Sequence, residues 1–95
     1  MQATAANYQI KSVTRASDLA IVTLDISGDT FTLECDSATG LAEVYNSTHR
    51  DPVLRGVRLH GDLWCFCKTH DLDVSRHHTD PVQATVKTMA QLAVV

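Results

Sequence analysis

VRLHGDLWCFC, residues 57–67, decides the predicted fold. Two alternating runs flank Gly61 and Asp62, and a two-residue connection that begins with glycine is typical of a β-hairpin. The register set by this turn puts the apolar side chains on one face and the polar or reactive ones on the other. The apolar set is Val57, Leu59, Trp64 and Phe66, and the other set is Arg58, His60, Cys65 and Cys67.

A second Gly-Asp pair, Gly28-Asp29, predicts another hairpin between residues 19–27 and 30–35. Because this register puts every apolar pair on one face and every polar pair on the reverse, the hairpin is expected to belong to a half-buried antiparallel sheet. The predicted pairs are Ile26 with Phe31, Leu24 with Leu33 and Val22 with Cys35 on the apolar face, and Asp25 with Thr32 and Thr23 with Glu34 on the reverse.

Weaker patterns predict the other strands. Tyr8–Val13 alternates, and residues 53–60 alternate only if a bulge at Arg55-Gly56 restores the phase. Residues 41–45 fit either a strand or one helical turn. The remaining segments are expected to be frayed at 1–7, a turn at 16–18, a loop at 36–40, a polar connection at 46–52 and a charged connector at 70–79.

A helix over residues 80–94 is expected after the strands. Asp80 is a good N-cap, Pro81 suits the first helical position, and Gln83 approximates a capping box. Apolar residues recur at helical spacing, at Val82, Val86, Met89 and Ala93. The predicted fold class is therefore α+β, a mainly antiparallel sheet of four to six strands with one C-terminal helix packed on one face.

The composition is that of a small globular domain. Of 95 residues, 44% are hydrophobic and 20% charged, which predicts one domain, 1–95, with one core. The formal net charge of −3 supplies no basic field for nucleic acid. No apolar run reaches the length of a membrane span, and the first residues lack a signal-peptide pattern. The three cysteines are an odd number, and Cys65 and Cys67, two apart on a strand, have poor geometry for a mutual disulfide, so free thiols in a reducing cytoplasm are expected.

The reactive side chains have ligand types that zinc accepts, namely Cys65, Cys67 and His70, with His60 nearby. However, alternate residues of a strand lie about 6.5–7 Å apart, too far for two thiolates to meet easily on one ion. No metal or other cofactor is therefore expected, and Cys35 is expected in the core.

A nucleophilic thiol is a further alternative. In the predicted register Cys65 lies opposite Arg58 and near His60, and cationic neighbours lower a thiol pKa. The sequence offers no third group to orient such a pair. The protein is therefore not expected to be an enzyme, and a thiol-dependent activity is the last alternative.

The expected working surface is a basic patch on the second hairpin, formed by Arg55, Arg58, His60 and Lys68. Lacking exposed aromatic residues to stack on bases, the patch suits a protein partner better than nucleic acid. No membrane partner is expected, and the sequence leaves the oligomeric state open.

The expected function is binding by protein–protein contact. In size and layout the chain is similar to small phage-encoded inhibitors of bacterial defence complexes, the anti-CRISPR proteins, a likeness of layout alone. The alternative is a small zinc- or nucleic-acid-binding module that uses the cluster of Cys65, Cys67 and His70 or the face of Arg55 and Arg58.

Overall fold

A computed structural model describes the backbone of residues 7–69 and 71–93, and the side chains of 7–69 and 77–90. Seven strands form one antiparallel sheet in which each strand pairs with its neighbours in sequence, and one helix follows them. The elements are β1 (Tyr8–Ala16), β2 (Leu19–Ile26), β3 (Asp29–Asp36), β4 (Leu41–Asn46), β5 (Pro52–Arg58), β6 (Trp64–Lys68), β7 (Asp71–His78) and α1 (Pro81–Ala93).

The predicted class, α+β with a mainly antiparallel sheet, is confirmed, but the sheet has seven strands rather than four to six. The segment predicted as a charged connector is strand β7, which pairs with β6 and completes the sheet. The undecided segment at 41–45 is strand β4. Of the residues expected to be frayed, only Asn7 is described, and its carbonyl oxygen accepts a hydrogen bond from Ser27 N at 3.1 Å. The rest lie outside the described residues.

The first hairpin keeps its predicted faces in a different register. Ile26 opposes Asp29 rather than Phe31, a shift of two residues. The turn residues are Ser27 and Gly28, with φ of 51° and 93°, and positive φ at both central positions is what a type I′ turn requires. A two-residue shift leaves each side chain on its original face. Buried on one face as predicted are Val22, Leu24, Ile26, Phe31, Leu33 and Cys35.

The second hairpin is shifted by one residue, which reverses the faces of β5 relative to β6. Val57 opposes Cys65 instead of Phe66, and residues 59–63 form a five-residue connection in place of a two-residue turn. The predicted bulge at Arg55-Gly56 is absent, and the irregularity lies between Val44 and Tyr45 in the pairing of β4 with β5.

The physical reason for that shift is the core position of Leu54. It opposes the buried Val44, and regular alternation from Leu54 carries Gly56 and Arg58 inward. Val57 and Leu59 are consequently each 42% exposed, and the prediction that both extend the apolar face is wrong. Trp64 and Phe66 are buried as predicted.

Helix α1 covers the buried face of the sheet, which we call the inner face, and the opposite side is the outer face. Asp80 is the N-cap as predicted, since its Oδ1 accepts a hydrogen bond from Val82 N at 2.9 Å. Gln83 completes no capping box, because its Nε2 donates to the Tyr8 hydroxyl at 2.7 Å. Two threonines that the apolar pattern missed, Thr85 and Thr88, are fully buried and donate to helix carbonyls. In the described part of the chain, no helix is long and apolar enough to cross a bilayer.

Candidate interaction surface

The four residues of the expected basic patch do not share a face. Arg55 lies on the outer face and is exposed. Arg58 lies on the inner side, half-buried, with its guanidinium carbon 6.0 Å from the centre of the Trp64 ring. His60 is in the connection between β5 and β6, and Lys68 ends β6. The one-residue shift of the second hairpin therefore separates Arg55 from Arg58.

Cys65 and Cys67 do share the outer face, as expected. They lie on β6 opposite Val57 and Arg55 of β5, while Cys65 also opposes His77 of β7. Within the residues that the structure describes, no three histidine, cysteine, aspartate or glutamate side chains come together as a metal site. The expected ligand His70 falls outside those residues.

Arg58, one of the two cationic neighbours expected for Cys65, lies on the other face of the sheet and opposes Trp64 instead. Burial raises the pKa of the Cys65 thiol above its ordinary value, and the neighbouring Cys67 adds to that shift. Cys35 is in the core as predicted, and burial raises the pKa of its thiol as well.

Alkylation should distinguish the three thiols. In native protein at pH 8, iodoacetamide is expected to modify Cys35 at least about tenfold more slowly than Cys67, because Cys35 must be exposed by local unfolding before it reacts. Peptide mass spectrometry over time measures each rate, and labelling in denaturant is the control. Equal native rates at Cys35 and Cys67 would contradict the inner-face position of Cys35.

An apolar row crosses the outer face where polar residues are usual. Leu19, Asp36, Leu41, Val57 and Cys65 are successive partners across β2, β3, β4, β5 and β6. Leu41 is 58% exposed, directly beside the exposed Val57. Grouped apolar side chains on an exposed face mark interaction surfaces, whereas single ones do not.

Carboxylates flank this row. Glu34 and Glu43 oppose each other in the next row, and Asp36 interrupts the apolar row itself. Among the side chains that the structure describes, two basic ones lie near these carboxylates: Arg55 opposes Glu43, and Arg50 lies over the ring of Tyr45. Carboxylates placed directly opposite each other reduce the stability of a sheet.

A shallow, open groove of about 490 Å³ lies between these two rows. Glu34 forms part of the groove wall. Its Oε2 accepts a hydrogen bond from the Tyr45 hydroxyl at 2.6 Å. That bond raises the pKa of Tyr45 and fixes Glu34 on the surface. The groove is lined by Leu19, Glu34, Asp36, Thr39, Leu41, Ala42, Glu43, Arg55 and Gly56. We call the side chains of Leu19, Leu41, Val57, Glu34, Asp36 and Glu43 the outer patch.

No protein-family model, curated protein or solved structure matches this chain. Any functional inference therefore rests on the residues and their geometry. The sequence contains one signal of the outer patch: in LAIV, residues 19–22, Leu19 and Ile21 are apolar in the phase opposite to Val22. A strand with apolar residues in both phases presents apolar side chains on both faces of the sheet.

Proposed function

We propose that this protein is a small, non-enzymatic binding protein that acts by protein–protein contact through the outer patch. The observation that carries the proposal is the exposed apolar pair of Leu41 and Val57, which oppose each other on β4 and β5, with the exposed Leu19 of β2 in the same row beyond Asp36. Strands already fixed by the sheet lose little conformational entropy on binding, which favours a small protein that must hold a larger one.

The charges of the outer patch favour a partner with a basic surface. The three carboxylates of the outer patch outnumber the two nearby guanidinium groups, those of Arg55 and Arg50, so a lysine- or arginine-rich surface would be attracted and a phosphate backbone repelled. Arg55 stays in the proposed contact as a rim residue. The contributions of Arg58, His60 and Lys68 remain predictions, as does the cytoplasmic location.

The narrower hypothesis, a phage-encoded inhibitor of a host defence complex of the anti-CRISPR type, remains part of this proposal. It is supported by the size of the domain and by its open surface. The zinc- or nucleic-acid-binding alternative is still supported by the position of Cys65 and Cys67 on one face. Measuring the zinc content of untagged protein would test its zinc-binding form.

The test compares partner capture by wild type and by Leu41→Glu. Leu41 is largely exposed, so the change should cost less than about 0.5 kcal/mol of stability, whereas it places a charge at the centre of the apolar row. Affinity for the proteins captured by wild type should fall at least about tenfold, or 1.4 kcal/mol. Thr48→Glu, in the turn after β4, is the control, because it adds the same charge at an exposed position outside both the outer patch and strand β1.

Two charge reversals, Glu43→Lys and Arg55→Glu, test whether the acidic outer patch or the basic patch makes the contact. With a basic partner, Glu43→Lys should slow association and Arg55→Glu should not, since opposite charges steer the encounter. Association rates at low and high salt measure both. If Leu41→Glu binds as wild type does while Arg55→Glu loses binding, the outer patch is not the contact and the basic patch takes its place.

A further inference from the structure

Strand β1 is the free edge of the sheet. It pairs with β2 on one side, and among the described residues no strand lies on its other side. Its nine side chains are all exposed. Yet Ile10 and Val13 oppose the buried Leu24 and Val22, so the inner face continues onto β1 without cover: Ile10 is 46% and Val13 48% exposed.

A bulge gives β1 a symmetric pattern. The register with β2 shifts between Ile10 and Ser12, so that Lys11 is the extra residue. Residues on both sides of it therefore point inward: Tyr8 and Ile10 before the bulge, Val13 and Arg15 after it, each opposite an inner-face residue of β2. This inward set is symmetric about a point between Lys11 and Ser12.

When two copies of β1 pair antiparallel around that point, each inward residue lies opposite an inward residue of the other copy. Ile10 then lies opposite Val13 of the second copy, and Tyr8 lies opposite Arg15 of the second copy. The remaining pairs, Gln9 with Thr14 and Lys11 with Ser12, are polar. A shift by one residue would place inward side chains opposite outward ones, so the bulge favours a single register.

Charge complementarity supports a second copy as the occupant. The cation of Arg15 meets the aromatic ring of Tyr8, a favourable cation–π arrangement, instead of another cation. Lys11, near the two-fold axis, is already paired within its own chain, with its Nζ 3.6 Å from Asp25 Oδ2. The two copies therefore meet without an opposed pair of uncompensated charges.

We propose that β1 pairs with β1 of a second copy across a two-fold axis, which joins two seven-stranded sheets into one. The interface is isologous, as in most homodimers. It uses the free backbone groups of an edge strand and covers the exposed Ile10 and Val13 of both copies. This surface is separate from the outer patch.

Sedimentation equilibrium tests the dimer. Wild type at concentrations up to about 1 mM should show twice the mass of one chain, because small interfaces are often weak. Val13→Glu should raise the dissociation constant at least about tenfold, and Leu41→Glu on the outer face should not change it. A wild-type monomer throughout, or a dimer lost in Leu41→Glu and kept in Val13→Glu, would overturn the proposal.

Crosslinking tests the register independently of affinity. In a Cys65→Ser, Cys67→Ser background, a mixture of Ile10→Cys and Val13→Cys chains should form a mixed disulfide, because directly opposed residues have suitable spacing. Each chain alone should crosslink far less, since its cysteines lie three positions out of register. Equal yields in the single-variant samples would contradict this pairing. Circular dichroism confirms that each variant is folded.

Discussion

Replacing Phe66 by alanine is expected to destabilise the protein by about 3–5 kcal/mol. Phe66 is fully buried on the inner face, where its ring lies 6.2 Å from that of Trp64 and its carbonyl oxygen lies 3.5 Å from the Thr88 hydroxyl of α1. Removing the ring leaves a cavity between the sheet and the helix. Such a loss approaches the entire stability of many domains of this size.

Chemical denaturation of wild type and Phe66→Ala measures the difference, with Leu41→Ala as the matched control. Leu41 is exposed, so its truncation should change the free energy of unfolding by less than about 0.5 kcal/mol. A loss at Phe66 no larger than the loss at Leu41 would place Phe66 outside the core.

Gly56→Ala is expected to lower the free energy of unfolding by about 1–3 kcal/mol. A Cβ at Gly56 would lie 2.6 Å from Cζ and 2.7 Å from Cε2 of Phe66. The ring is enclosed and has no exposed side toward which it can move. In an unhindered strand the same change would stabilise the protein by about 0.5–1 kcal/mol, so the sign of the effect reports the contact.

A double-mutant cycle isolates that contact. When Phe66 is already alanine, the added methyl at position 56 meets no ring, and Gly56→Ala should then be neutral or stabilising. A coupling energy of at least about 1 kcal/mol is expected between the two positions. Additive effects would show that Gly56 does not support the ring.

How much of the fold could be predicted depends on how each error affects side-chain alternation. In the first hairpin the turn was misplaced by a shift of two residues, and Leu24 and Leu33 still reached the core. In the second, a shift of one residue moved Val57 outward and Arg58 inward. The sequence around Gly61 fits a tight turn locally, but the register is fixed from the other end of β5, by Leu54 against Val44.

The candidate surface was less predictable for the same reason. The basic patch required Arg55 and Arg58 on one face, which the reversed faces of β5 exclude. The outer patch requires knowing that Leu19, Leu41 and Val57 line up across separate strands, and no local pattern contains that alignment. Helix α1 and its Asp80 cap were predictable because their signals lie within four residues of one another.

The strictly sequential order of the strands bears on how the chain folds. The connections between successive strands are two to five residues long, so each new strand closes only a short loop onto the one before it. A sheet of this kind can grow strand by strand during synthesis. Its inner face, however, is covered only by α1, which is synthesised after all seven strands. Until then the nascent sheet exposes the surface around Leu33 and Phe66, and this interval is when aggregation would compete most strongly with folding.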